Sequence, residues 1–121
     1  MANTILIKNV LLDTLRKDVL IRGKRFEKIA PAGTLNEADQ VIDGQNSAIL
    51  PPFYNTHTHA AMTLLRGYGS DVPLKSWLED FVWPRENSLT PADIERGSRI
   101  AIREMIKSGT VFFCDMYFNI E

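Results

Sequence analysis

The stretch from residue 90 to residue 114 constrains the fold more than any other part of the chain. Thr90 and Pro91 open a helical pattern with Asp93 at its third position. Ile94, Ala101, Ile102, Met105 and Ile106 recur at helical spacing as a buried face, and Gly109 follows the last of them. A threonine cap, a proline in the first turn, an acid at N3 and a glycine just past the end are the punctuation of one helix. Thr110-Val111-Phe112-Phe113-Cys114 then runs apolar without alternation, which predicts a strand covered on both faces, as in a parallel sheet. Upstream, Ile49-Leu50, Pro51-Pro52 and Phe53-Tyr54 read as a strand bent at its middle, ending at Asn55-Thr56-His57-Thr58-His59. After residues 60–65 and a Gly67-Tyr68-Gly69 loop, Leu74, Trp77, Leu78, Phe81 and Val82 fall on one helical stripe, with Pro73 near its start and Pro84 just beyond its end. From residue 49 onward the order is strand, loop, helix, helix, strand. That is a βαβ-type crossover, expected to be right-handed.

The first fifty residues read differently. Residues 4–12 are apolar and β-branched with a polar break at Lys8-Asn9, which predicts one strand or two short ones. Residues 18–21 and 26–29 flank Arg22-Gly23-Lys24 as a β-hairpin, and Pro31-Ala32-Gly33 ends it. Residues 34–40 are polar, a loop or a short helical turn. Val41-Ile42 and residues 48–50 flank Asp43-Gly44-Gln45-Asn46, which predicts a second hairpin. The expectation is a set of short antiparallel strands over 1–50 that carries no chemistry, and a second unit over 51–121 beginning at the proline pair.

Lysine and arginine number 14 against 15 acids, a formal charge of −1 in 121 residues. That balance gives no electrostatic case for nucleic acid or an anionic membrane. A content of 45% apolar and 24% charged residues is a globular mixture, which argues against disorder. No apolar run approaches the ~20 residues that a spanning helix needs, and Lys8, Asp13 and Arg16 interrupt any signal-peptide core. Cys114 is the only cysteine and has no internal partner for a disulfide, so a reducing cytoplasm is the expected location. Within its apolar run Cys114 reads as a small hydrophobe rather than a nucleophile.

The chemistry sits at His57 and His59, the two histidines of the chain. Side chains two apart on a strand point to one side, so both imidazoles can face one ion. Zinc accepts imidazole nitrogens at roughly 2.0–2.1 Å, and two of them fill half of a tetrahedral shell. Taken alone the pair is also compatible with surface or core histidines.

The stretch LPPFYNTHTHAAMTLL over residues 50–65 resembles the first barrel strand of the amidohydrolase superfamily, a proline-containing strand ending in a His-x-His that binds the catalytic metal. The resemblance continues through Arg66-Gly67, Trp77-Leu78, Trp83-Pro84-Arg85-Glu86, Leu89-Thr90 and Asp115-Met116-Tyr117-Phe118. These look like the branch holding 5′-methylthioadenosine/S-adenosylhomocysteine deaminases and chlorohydrolases. Two positions depart from it: Pro51-Pro52 stands where members have Pro-Gly, and Tyr54 replaces a Val or Ile.

The resemblance implies an α/β architecture: strands of a small N-terminal β-sandwich (1–50) followed by the first βα units of an incomplete (β/α)8 TIM barrel (51–121). It implies His57 and His59 as ligands of a divalent metal, zinc first, with Fe2+ or Ni2+ as alternatives. Trp77 matches a tryptophan of the purine site, although its place on the apolar stripe equally suits core packing. Glu86 matches a glutamate that accepts the ribose hydroxyls, although by itself it reads as a solvated loop carboxylate.

A whole barrel takes roughly 250 residues, and the family's metal site draws two more histidines, an aspartate and a proton-shuttling glutamate from later strands. The chain is therefore expected to be a fragment or one piece of an assembly. It would hold no catalytic residue of its own, would be inactive alone, and would bind metal weakly or not at all without a homo-oligomeric or C-terminal companion chain. The implied reaction is hydrolytic deamination of an adenosine-type nucleoside, in which zinc lowers the pKa of the attacking water. The alternatives are a chlorohydrolase or guanine/cytosine-type deaminase on the same fold, and, in another class, an inactive interaction module.

Overall fold

Alternating apolar residues make Thr4–Leu12 the strand β1 around which the first unit is built, with Leu6 and Val10 fully buried. The computed structural model describes residues 3–117 and divides the chain into two compact units, Met1–Pro51 and Pro52–Glu121.

In the first unit β1 pairs antiparallel with β2 (Leu15–Arg22) across a tight turn at Asp13-Thr14. The polar break at Lys8-Asn9 does not split β1; the register slips between Ile7 and Val10 and Asn9 takes a left-handed φ of 55°, a bulge within one strand. β2 and β3 (Arg25–Pro31) form the expected hairpin.

The second expected hairpin does not exist. β4 (Gln40–Asp43) and β5 (Ala48–Ile49) each pair with β1, both in parallel. The Asp39 carboxylate accepts from both the amide and the hydroxyl of Thr4, at 2.7 Å each, which docks the start of β4 beside the start of β1. Asp43 then accepts from the Gln45 amide at 2.9 Å, and the Ser47 amide donates to the Gly44 carbonyl. This turn offsets the chain without reversing it. Gly44 N–H donates to Lys8 O at 2.7 Å and Leu11 N–H to Ser47 O at 3.0 Å, so the chain stays on β1 throughout. The result is one five-stranded sheet.

Gly44 permits this path because a Cβ there would lie 2.6 Å from Val10 Cβ and 2.8 Å from the Lys8 carbonyl oxygen. Gly44→Ala is expected to lower the stability of the first unit by about 1–3 kcal/mol, read as a reduced midpoint in urea denaturation. An unchanged midpoint would show that the loop relaxes freely.

In the second unit β6 (Phe53–Thr58) and β7 (Thr110–Asp115) pair in parallel as a two-stranded sheet, joined by the helices of the crossover. Leu50, Pro51 and Pro52 belong to no strand, so there is no single bent strand through them: consecutive prolines offer no N–H to a ladder. After β6 comes a 3-10 helix, Ala60–Leu65. The next helix starts as α1 (Leu74–Ser76), widens into a π-helix (Trp77–Val82) and continues as α2 (Trp83–Glu86). It therefore runs past Pro84 instead of ending before it. The widened turn, in which Trp83 N–H reaches back five residues to Leu78 O, lets the proline follow without facing the carbonyl four residues earlier.

α3 (Pro91–Lys107) carries the expected caps. The Thr90 hydroxyl and Asp93 amide, and the Asp93 carboxylate and Thr90 amide, form a reciprocal capping box. Gly109 follows with φ 83°. Its buried face differs from the periodic one. Gly97 and Ala101 are buried, while Ile106 is 69% exposed, as is Leu74 on α1. α3 packs its small residues on the 3-10 helix, where a Gly97 Cβ would stand 2.5 Å from the Ala61 carbonyl oxygen. Val111 and Phe112 of β7 are 66% and 49% exposed, so the strand is not covered on both faces in this chain: the two-stranded sheet gives it one neighbour. Among the described residues no helix is long and apolar enough to cross a membrane.

Candidate metal centre

The two histidines lie where β6 runs out. β6 ends at Thr58, so His57 is a strand residue and His59 stands just past the end, at φ −129° and ψ 77°. The register slips between Asn55 and Thr58, and the Asn55 side chain accepts from the His57 amide at 3.2 Å. The rings come together edge to face, with centroids 5.0 Å apart and planes at 89°.

The end of β7 holds this segment. Met116 N–H donates to Thr58 O at 2.9 Å, and the Ala60 amide donates to Asp115 Oδ1 at 3.1 Å. The Nδ1 of His59 meets the Met116 carbonyl oxygen at 2.7 Å. A carbonyl oxygen only accepts, so Nδ1 carries the proton and the lone pair is left on Nε2. Imidazole ligands of metals are commonly oriented by such a bond.

The donor set fits a metal limb. An ion held at roughly 2.0–2.1 Å by two imidazole nitrogens at a tetrahedral angle sets the ring centres about 5 Å apart, the spacing found here. Two nitrogens are half of a shell, and among the described residues no group of three or more histidine, cysteine, aspartate or glutamate side chains is placed to complete one.

Beside His59 opens a cleft of about 430 Å³ lined by Met62, Arg66, Tyr68, Ser70 and Trp77 among others. Trp77, at the first turn of the π-helix, is half-buried, and its indole N–H donates to the Tyr68 carbonyl at 3.0 Å, which fixes the ring on the cleft wall. Tyr68 packs edge-on against Phe81, with the Arg85 guanidinium 6.0 Å from its ring centre. Arg66 is tied to Glu104 of α3 by two hydrogen bonds, which hold that carboxyl below its usual range.

Glu86 is not on this cleft wall. It closes α2, half-buried, and faces the Tyr117 phenol. Burial first, then the charge and hydrogen bond of Glu86 and the charge of Asp115, push that phenol up to about 12. The structure thus brings His59 and Trp77 to one opening, places His57 against His59 but not on the cleft wall, and links Glu86 to the same strand end through Tyr117. Phe118, the last residue of the Asp115-Met116-Tyr117-Phe118 motif, lies outside the described residues.

Pattern reading of the histidines missed what holds them. The Met116 contact is made by backbone and has no residue signature. Asp115 carried a signal, a carboxylate at the C-terminal end of a strand beside another such end, and its partner is the Ala60 amide.

A sequence profile of the amidohydrolase family matches residues 48–121. The 5-methylthioadenosine/S-adenosylhomocysteine deaminase of Syntrophomonas wolfei is 55% identical over 107 residues, covering 88% of this chain and 24% of that protein. The 5′-deoxyadenosine deaminase of Methanococcoides burtonii is 50% identical over 103 residues, covering 85% of this chain and 24% of the relative. The chain therefore spans about a quarter of the length of these relatives. Among solved structures, atrazine chlorohydrolase from Arthrobacter aurescens TC1, complexed with zinc, is similar with a TM-score of 0.70 and 25% identity, over 92% of this chain and 28% of that one.

Proposed function

Since the chain belongs to the amidohydrolase family, we propose that it forms the N-terminal part of a metal-dependent deaminase of adenosine-type nucleosides, contributing two metal ligands and part of the nucleoside pocket. The observation that carries the reading is the pair of imidazoles 5.0 Å apart, one with its Nδ1 proton engaged by Met116 and its Nε2 free. In this reading the first unit belongs to a β-sandwich, β6 and β7 are the first two strands of a (β/α)8 barrel, and the site lies at their C-terminal ends, the face on which barrel chemistry occurs. The protein works in the cytoplasm.

His57 and His59 would hold a divalent ion, zinc first. Bound there, the ion supplies Lewis-acid activation of a water for attack on an amine-bearing ring carbon. The chain's own residues bind and orient. The Trp77 indole, held by Tyr68, offers an apolar wall for a purine ring. Glu86 accepts the two hydroxyls of a vicinal diol, for which a carboxylate has lone pairs enough, and Tyr117 fixes its direction. The remaining ligands and the proton shuttle come from sequence beyond this segment or from a companion chain.

The substrate class is tested by exchanging the matching segment of the Syntrophomonas deaminase for this one and introducing Glu86→Ala. Hydrogen bonds to a charged group are worth about 1.5–3 kcal/mol, so KM for 5′-methylthioadenosine should rise roughly 10- to 100-fold while KM for a free aminopurine stays put. Equal effects on both would sink the nucleoside assignment and favour a triazine-type or free-base substrate, which has no diol for Glu86 to grip.

A further inference from the structure

We propose that Asp115 is the positioning residue of His59: by accepting the Ala60 amide it fixes the backbone that presents His59 to the Met116 carbonyl. The inference deepens the metal-limb reading and rests on it. The geometry has three parts. Asp115 Oδ1 accepts from Ala60 N–H at 3.1 Å, directly after His59 in the chain. Met116, the residue just past the end of β7, donates its N–H to Thr58 O at 2.9 Å, directly before His59. The Met116 carbonyl then accepts from His59 Nδ1 at 2.7 Å.

His59 is thus gripped on its ring and on both flanking residues by the last residue of β7 and the one after it. The grip matters because the 3-10 helix engages only the His59 carbonyl, which accepts Met62 N–H at 2.9 Å, and leaves the amide of Ala60 without a helical acceptor. It lies past the last strand residue and before the first residue of the 3-10 helix, and its own side chain does not cap that helix. Without the Asp115 carboxylate the first amide of the helix loses its acceptor. The 58–60 backbone can then rotate, and the imidazole is released to choose either tautomer. With Nε2 protonated the metal-facing lone pair is gone.

Nitrogen-15 NMR of the histidine rings in the metal-free chain, followed by zinc titration of the same samples, tests this. The wild-type chain should show His59 with a protonated Nδ1 and a bare Nε2. Asp115→Ala should give a mixture of tautomers and bind zinc roughly 10- to 100-fold more weakly, the range found when partners of metal-ligating histidines are removed. Asp115→Asn, whose amide oxygen still accepts from Ala60, should restore both. If D115A does not fold, Asp115→Glu, which moves the carboxylate one methylene away, should show the same loss. Wild-type tautomer and affinity in D115A or D115E would overturn the proposal, as would a protonated Nε2 in the wild-type chain. Should the tautomer respond as expected in a chain that takes up no zinc, the positioning stands, and the metal reading falls if the Syntrophomonas chimera carrying this segment takes up none either.

Discussion

Gly97→Val is expected to destabilise the Pro52–Glu121 unit by about 3 kcal/mol or more. Even a single added carbon would sit 2.5 Å from the Ala61 carbonyl oxygen and 3.0 Å from Leu64 Cγ. The nearest obstacle is backbone, so it cannot step aside as a side-chain tip can. Replacing glycine inside a helix ordinarily gains up to about 1 kcal/mol. Overpacking a close contact costs about 1–3 kcal/mol and occasionally more, and valine adds two further methyl groups to it. The clash wins. Relief requires the 3-10 helix to move away from α3, and that helix begins one residue after His59. The variant should therefore lose thermal stability and, where it folds, show displaced resonances for both histidines. A Gly97→Val chain with wild-type melting behaviour would mean that α3 does not rest on residues 60–65 as described.

Asp18→Ala should be nearly as damaging to the first unit. Asp18 is fully buried in β2, yet both of its oxygens are used: Oδ1 accepts from Asn9 N–H at 2.9 Å and Oδ2 from Leu35 N–H at 3.0 Å. It holds the bulge of β1 and the loop leaving β3 at once. An orphaned buried donor costs about 1–3 kcal/mol, so losing both acceptors should cost roughly 2–4 kcal/mol. Asp18→Asn, which keeps one good acceptor, should cost about half as much.

The carboxyl also sets a pH dependence. Burial pushes its pKa up, but the amides of Leu35, Asn9, Thr34 and Gly33 together outweigh that and leave it below the ordinary 3.8. A carboxyl with a lowered folded pKa stabilises above its unfolded pKa and loses that contribution as pH falls through the folded value. Asp39 in the same unit is lowered too, chiefly by the Thr4 hydroxyl and amide. The first unit should therefore hold its full stability above about pH 4 and weaken only below it. In Asp18→Asn that slope should flatten. A stability that is already falling between pH 7 and 5, and equally in the variant, would contradict this role for Asp18.

The parts of the fold that were legible in the sequence are those dictated by local chemistry. Thr90, Pro91, Asp93 and Gly109 bound α3 because caps act over three or four residues. Gly23 set the β2–β3 hairpin for the same reason. What the sequence hid depends on partners far along the chain. Asp43-Gly44-Gln45-Asn46 has the composition of a hairpin turn, and only the contacts of Asp39 with Thr4 and of Gly44 with Lys8 reveal that it carries the chain forward along β1. Likewise the apolar stripe over 74–82 located a helix, but the π-turn around Pro84 is a backbone solution that periodicity does not encode. At the candidate site the two histidines stood out as the only pair in the chain, whereas the carbonyl and carboxylate that hold His59 and its neighbour belong to residues more than fifty positions away.

The most direct test of the account follows both histidine rings by nitrogen-15 NMR while zinc is added to the intact chain. The Nε2 signals of His57 and His59 should move together and saturate at one ion per chain, with His59 Nδ1 still protonated, and His57→Ala or His59→Ala should abolish the response. Zinc uptake that leaves either ring untouched, or that enters through His59 Nδ1, would contradict the two-histidine limb.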